Sequence, residues 1–273
     1  RGRYLRVIAA ELQRIASHLM FVATFGNDLA ATTVFLYGFR DREPILDLLD
    51  ELSGQRLTYN YFCVGGVNGD AQPGFEQRLL RFIDYLSERV KEYDGLLTNN
   101  KIFVERSKGI GCISAAQALD LGLSGPNLRA TGFRYDVRKA EPYSCYGEFE
   151  FEIPVGEQGD TFDRYWVRMQ EMRQSLRILR QAIEGLPEGD YRAKVPRALK
   201  PEAGAAYAHT EGSRGDVGYY VVSDGSERPY RVKIRGPSFV HVSALPYLLK
   251  GAKVADLIAV LGSIDIVLGE VDR

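Results

Sequence analysis

Apolar residues recur at intervals of three and four from Tyr4 onward. Leu5, Ile8, Leu12, Ile15 and Leu19 form one stripe, the mark of an amphipathic helix. Residues 19–31 are apolar nearly all round, which predicts that the second half of this helix is buried. A second helix is predicted over residues 42–52, stopped at Gly54, whose freedom in the left-handed region suits a helix end. A third is predicted over residues 75–97, with Leu79, Phe82, Ile83, Leu86, Val90 and Tyr93 on one side. Between them, residues 58–74 are irregular, punctuated by Gly65-Gly66, Gly69 and Pro73-Gly74. Residues 114–121 read as a short fourth helix.

The middle of the chain changes period. Residues 131–137 and 146–155 alternate as half-buried strands do, the second through Phe149, Phe151 and Ile153. Residues 163–184 form a long charged helix with Trp166, Met169, Met172, Leu176, Leu179 and Ile183 inward, followed by a Pro- and charge-rich arm over 186–201. Residues 217–223 and 230–235 are predicted as a hairpin joined at Asp224-Gly225. Helices return over 243–250, 254–261 and 264–273. The expected class is α+β, a predominantly helical bundle with a smaller β part. Residues 1–130 make the first part of the bundle and 131–160 a β-rich insertion. Residues 161–273 supply a long helix, a hairpin and C-terminal helices that pack back on the bundle.

Composition narrows the functions. Thirty-five Lys and Arg against 36 Asp and Glu leave a net charge of −1, which excludes nucleic-acid binding driven by overall charge. No stretch approaches the ~18 apolar residues of a membrane span. The most apolar one, residues 254–269, is interrupted by Asp256 and Asp265. The start, Arg-Gly-Arg-Tyr, has no initiator Met, h-region or cleavage site, and a helix is already under way at Tyr4. An excised piece of a longer protein is therefore expected. Cys63, Cys112 and Cys145 form neither a disulfide framework nor a CxxC pair, and are read as inert thiols in a reducing, cytoplasmic setting.

Several motifs fail. Gly109-Ile-Gly111 is half a dinucleotide fingerprint, with Ser114 where the third glycine belongs and no parallel strand leading in. Ser124, in GLSGP, is not a hydrolase elbow, and Arg214-Gly215-Asp216 reads as a turn before Val217. His18, among apolar neighbours, is read as a core histidine. His209 is too distant from the other two for a local metal site, and His241 stays open between core and ligand.

One constellation remains. Met20, Thr24 and Asp28 are spaced i, i+4, i+8 and share one helix face. An acid closing an apolar run is partly desolvated, which raises its pKa and suits proton handling or holding a charged partner. Capping the next helix is an equally open alternative. The second such acid is Asp265, in a closing segment (GSIDIVLGEVDR) too apolar to fray, so the tail is expected to pack into the body. Two acids among Met, Thr, Val and Ile suit a cavity for a flat, mostly apolar molecule with a polar head, of which a quinone is one.

Residues along nearly the whole chain carry a family likeness. They include Glu11 to Leu19 (ELQRIASHL), Phe39 to Glu43 (FRDRE), Gly65-Gly-Val67, Ser124 to Ala130 (SGPNLRA), and Asp136 to Lys139 (DVRK) with Pro142-Tyr143. Further on come Asp160, Arg164-Tyr165, Glu171-Met172, Arg214 to Gly218, Ser223 to Gly225, Pro229 to Arg231, Pro237 to Phe239 and the closing GSID and GEVDR. In these the chain resembles the quinone-cavity subunit of respiratory complex I, the D-type or 49-kDa subunit, with chloroplast H-type relatives. The resemblance implies the hydrogenase large-subunit type of fold and a proton-translocating NADH:quinone oxidoreductase. It also implies that Met20, Thr24, Asp28, Asp265, Val267 and Arg273 line or brace the quinone cavity. In the family the acid matching Asp28 holds a histidine beside the quinone head group. The implied electron source is an Fe–S cluster bound by a B-type partner, so no metal or cluster is expected in this chain. FMN and NADH are likewise bound by partners, and a C-type subunit and a membrane-arm H-type subunit complete the implied surroundings. Location is expected to be peripheral, on the cytoplasmic face of a bacterial membrane, and the isolated chain is expected to be inactive.

The chain also departs from the family. The family's N-terminal part, with the histidine and tyrosine that touch the quinone head, is not matched, and His18 and Tyr4 do not replace them. Thr58 stands where a cluster-facing histidine is usual, and Cys63 replaces an arginine before Gly65-Gly66. These changes leave open a hydrogenase-like or ferredoxin-linked membrane complex, or a non-catalytic scaffold fragment. Nickel–iron hydrogenases hold their metal with two CxxC pairs, and this chain has none.

Overall fold

Helix α1 (Gly2–Asp28) is the axis of the fold in a computed structural model, which describes residues 1–196 and 198–272. Its predicted stripe is the buried one, with Leu5, Ile8, Leu12, Ile15 and Leu19 all at 0% exposure. Ala30 closes the helix in the left-handed region (φ 69°), while Ala31 N–H reaches the Gly26 carbonyl (2.8 Å) and Ala30 N–H that of Asn27 (2.9 Å). This is a Schellman ending built on alanine.

Helix α2 (Thr32–Ser53) packs on α1, where Gly38 leaves no room for a side chain between it and Ala23. It begins ten residues earlier than the pattern predicts, because an exposed Leu36 and a fully buried Asp41 scramble its apolar stripe. A small hairpin follows, β1 (Phe62–Cys63) with β2 (Gly66–Val67), then α3 (Phe75–Tyr93), which widens into a π turn over Asp94–Thr98. Short helices come next: α4 (Lys101–Glu105), α5 (Ala115–Asp120) and α6 (Gly125–Arg129). A Ser114–Gln117 capping box starts α5. After α7 (Val137–Ala140), the long helix α8 (Thr161–Glu184) is capped by Asp160 and packs on α1 and α3.

The β-rich insertion expected over 131–160 is not there. Among these described residues there are α7 and one 3-10 turn (Tyr146–Glu148), and no strand. Phe149 and Phe151 are indeed buried between exposed Glu150 and Glu152, but no ladder accounts for it. The N–H groups of Glu150 and Glu152 donate to the side chains of Gln181 and Gln174 on α8 (2.8 and 3.0 Å). The period of two marks an extended chain lying on a helix.

The sheet lies further on. Strand β3 (Gly204–Glu211) pairs antiparallel with β4 (Asp216–Ser223), in register from Gly204↔Ser223 to Glu211↔Asp216, and β4 pairs with β5 (Arg231–Arg235). The hairpin at Asp224-Gly225 is as predicted. Strand β3 escapes sequence reading because its run of Gly and Ala is exposed on both faces. The chain finishes with α9 (Pro237–Ser243), α10 (Leu245–Leu248), α11 (Asp256–Ser263) and α12 (Leu268–Val271). A second, smaller core of Ile113, Ala118, Leu123, Leu128, Leu248, Val260 and Ile264 fastens these helices to α5 and α6. The class is therefore mixed α+β, mostly helical with one small antiparallel sheet.

Charge is buried at the centre. Arg129 donates through Nε and Nη2 to Glu171 Oε1 (2.9 and 2.6 Å) and through Nη1 to Glu211 Oε1 (2.8 Å). Glu171 also meets His18 Nε2 at 2.9 Å. Arg138 binds Asp136 (2.7 Å) and Glu11 (3.0 Å), and Glu11 accepts from Tyr146 and Ser175 at 2.6 Å each. Burial pushes the Glu171 and Glu11 carboxyls up, but their arginines outweigh it and hold both below the ordinary range. Burial keeps His18 low despite Glu171 and raises Glu211.

Removing one partner strands the others, so Arg129→Ala should lower stability by about 3–5 kcal/mol in urea unfolding. The unfolded chain binds more protons than the folded one at His18, Glu11 and Glu171, so their contribution is lost on acidification. The urea midpoint should fall as pH drops below about 6.5 and continue falling through the carboxylate range near 4. Glu211, raised by burial, acts in the opposite sense. A midpoint flat from pH 7 to 4 would show that these groups do not govern stability.

Candidate functional site

Met20, Thr24 and Asp28 share one face of α1, as their spacing requires, and the face is open. Met20 is half-buried, while Thr24 and Asp28 are largely exposed. Thr24 Oγ1 donates back to the Met20 carbonyl at 2.9 Å. Asp28 is the last residue of α1 and caps nothing: the N-cap of α2 is Ala31, no side chain caps that helix, and backbone bonds close the turn. Its carboxylate lies over Gly262 of α11, where an added Cβ would sit 3.1 Å from both Asp28 Oδ2 and the Phe25 ring. Partial burial there raises the Asp28 pKa above the ordinary aspartate value.

Helix α11 therefore brings the C-terminal segment onto the end of α1. The segment then turns at Asp265, which adopts φ 53°, uncommon for a residue with a side chain. Three successive carbonyls of this turn are captured by side chains from three different places. Ser263 O accepts from Arg168 Nη1 of α8 (3.0 Å), Ile264 O from Asn127 Nδ2 of α6 (3.1 Å), and Asp265 O from Arg214 Nε before β4 (3.0 Å). Asn127 also pairs with His241 Nδ1 (2.8 Å). His241 is fully buried, which pushes its pKa down to about 3 and keeps it neutral, settling it as a core histidine. Val267 is exposed, and its N–H donates to Ser238 Oγ (3.3 Å).

Of the six residues singled out from sequence, the fold gathers Met20, Thr24 and Asp28 on α1 and sets Asp265 and Val267 on the segment that α11 brings to that helix end. Arg273 lies outside the described residues. The largest cavity described, about 620 Å3, sits between α3 and α8 and is lined by none of the six. Arg168, Asn127 and Arg214 were not recognised as part of the site. A signal existed for Arg168: Arg164, Arg168, Glu171 and Ser175 follow i, i+4, i+7, i+11, a polar stripe inside an apolar helix face. All four are buried. His18 pairs with Glu171 and Tyr4 with Glu148 (2.6 Å), both away from this helix end.

The contact with Gly262 makes the Asp28 environment testable. By carbon-detected NMR titration the Asp28 carboxyl should protonate above the ordinary ~3.9. In Gly262→Ala the new methyl displaces the carboxylate towards water, and the value should move back towards ordinary. An Asp28 titration identical in the two proteins would show that this contact does not set its pKa.

The family described as "Respiratory-chain NADH dehydrogenase, 49 Kd subunit" matches residues 28–202 and 194–273. The D-type subunit of the NADH-quinone oxidoreductase of Desulforamulus reducens is 54% identical over 272 residues, covering 100% of this chain and 74% of that protein. The subunits of the same name from Bacillus cytotoxicus and Dehalococcoides mccartyi are 51% and 50% identical, each over 100% of this chain and 75% of their own length. No helix among the described residues is long and apolar enough to cross a membrane. With a family match running through both ends of the site and half of all positions identical to these relatives, the chain belongs to the 49-kDa subunit family of respiratory-chain NADH dehydrogenase.

Proposed function

We propose that this chain forms the quinone-reduction cavity of a proton-translocating NADH:quinone oxidoreductase, with the hydrogenase large-subunit type of fold. The observation that carries the reading is the seating of Asp28 over Gly262, beside the turn that presents Asp265 and Val267. A carboxylate with a raised pKa at the end of an apolar helix face can accept a hydrogen bond from an imidazole and steady it as a proton donor. Met20, Thr24 and Val267 offer the apolar wall against which a flat ring packs. Two arginines flank the Asp265 carboxylate: Arg214 at 3.4 Å from Oδ1 and Arg168 at 3.7 Å from Oδ2. Arg273, the sixth residue, lies outside the described residues and is assigned to this cavity on the family resemblance alone.

The openness of the Met20–Asp28 face supports a cavity closed by neighbours. In this reading a B-type subunit supplies the terminal Fe–S cluster, and C-type and membrane-arm H-type subunits complete the surroundings. FMN and NADH belong to partners as well, and the assembly sits peripherally on the cytoplasmic face of the membrane. Fe–S clusters take four cysteine thiolates, whereas Cys63, Cys112 and Cys145 lie on separate segments.

Thr58 and Cys63 favour a second reading, in which a hydrogenase-like or ferredoxin-linked complex has replaced NADH or quinone. Thr58 is exposed with φ 54°, a strained position for a β-branched residue, in the loop where the family usually carries a histidine. Purification of the complex with its neighbours separates the two: an NADH-oxidising module supports the first, and a ferredoxin-reactive one the second.

In the assembled complex, Asp28→Asn should reduce quinone turnover by about 10²-fold, the size of a lost proton-handling group, while assembly survives. Unchanged turnover would exclude Asp28 from the chemistry. Val267→Phe should shift the dose response to quinone-site inhibitors. The isolated chain should reduce no quinone, and a measurable rate would show that it needs no partner.

A further inference from the structure

The turn at residues 263–265 is held by one residue more than by any other. Arg168 is fully buried, and its guanidinium carbon lies over the Phe21 ring of α1, 4.2 Å from the centroid. Nη1 donates to Ser263 O (3.0 Å) and Arg164 O (2.8 Å), and Nη2 to Asn127 Oδ1 (3.2 Å). Asn127 in turn holds Ile264 O. Through one direct bond and one relayed bond, Arg168 therefore fixes the two carbonyls that precede the left-handed Asp265.

A third relation is unfinished. Arg168 Nε and Asp265 Oδ2 are both buried and face each other at 3.7 Å, and among the described residues neither has a hydrogen-bond partner. A normal bond of this kind is ~2.9 Å long. The other anchors hold the pair at this distance, so that carboxylate oxygen is met by no donor among the described residues. A left-handed non-glycine residue persists only where its surroundings over-determine it, and here the surroundings are Arg168, Asn127 and Arg214. A lysine could not substitute. An ammonium carries its three donors on one atom, whereas the guanidinium reaches Ser263 and Arg164 through Nη1 and Asn127 through Nη2 in one fixed planar fork.

We propose that Arg168 is a positioning residue for the quinone end of this site: by clamping Ser263 and Asn127 it sets the turn that aims Asp265 and Val267. It acts through these residues and does not touch the quinone itself. The proposal rests on the quinone-cavity reading above and deepens it by naming what shapes that cavity's C-terminal wall.

The test uses the whole membrane complex carrying Arg168→Lys or, as a variant that leaves the arginine in place, Asn127→Ala. Three quantities are read: KM and kcat with a short-chain water-soluble quinone, the midpoint for a quinone-site inhibitor, and NADH oxidation by ferricyanide, which bypasses the quinone. Loss of one buried, charge-assisted hydrogen bond corresponds to about tenfold in binding. Both variants should therefore raise KM and the inhibitor midpoint by about tenfold. In both, kcat should stay within about twofold and the ferricyanide rate should be unchanged.

A merely structural arginine would give a different pattern, in which quinone and ferricyanide rates fall together with the amount of assembled complex and KM stays put. That outcome, or an unchanged KM and midpoint in both variants, overturns the proposal. Asp28→Asn and Val267→Phe are measured alongside. If they alter quinone kinetics while Arg168→Lys and Asn127→Ala do not, only the role of Arg168 falls. If none of the four does, the cavity reading falls, and the proposal with it.

Discussion

The pairing of Arg129 with Glu171 is the constraint on which the rest of the molecule depends. It joins α6 to α8, and through His18 and Glu211 it reaches α1 and β3 as well. Four elements distant in sequence thus meet at one guanidinium and one carboxylate, neither exposed to water by more than 1%. Such a centre adds little net stability over an apolar core, because desolvation offsets most of the attraction. What it does is exclude alternatives. A sliding of α1 along α8 by one turn would leave three or four ions unpaired, so the register of the two long helices has a single solution. The candidate site inherits that register, since Phe21, Asp28 and Arg168 ride on the same two helices.

A second consequence concerns where the polar groups of the site come from. Asp265 lies on the segment with the smaller core, while Arg168 belongs to the large one. The turn at 263–265 is the seam between them, and its carbonyls are satisfied by side chains because no helix or strand is available to do so. Local structure there follows from long-range contacts. Changes to Asn127 or Arg214 would therefore be felt at Asp265 although neither is near it in sequence.

This explains what the sequence disclosed and what it withheld. Helices α1, α3 and α8 and the β4–β5 hairpin were legible because each carries its own signal: an apolar stripe in the helices, a turn dipeptide at Asp224-Gly225 in the hairpin. The Met20–Thr24–Asp28 face was legible for the same reason, being a matter of helix periodicity alone. Strand β3 was not, since Gly204, Ala205 and Ala206 pair only because β4 is beside them. The alternation over 149–153 was real but its cause was the surface of α8. Openness at Asp28 also could not be foreseen, because an apolar run reads identically whether the chain or a neighbour covers it.

The alanine that ends α1 has an effect of its own. A left-handed alanine at position 30 is strained by about 1 kcal/mol where glycine would be relaxed. Its methyl group, however, denies the three-residue elbow after Asp28 most of the conformations that glycine would permit. The crossing of the first two helices is therefore constrained twice, by the close seat of Gly38 on Ala23 and by steric exclusion at one methyl in the elbow. The residue that bears the carboxylate just ahead of that elbow is carried on a stiffened stretch of backbone.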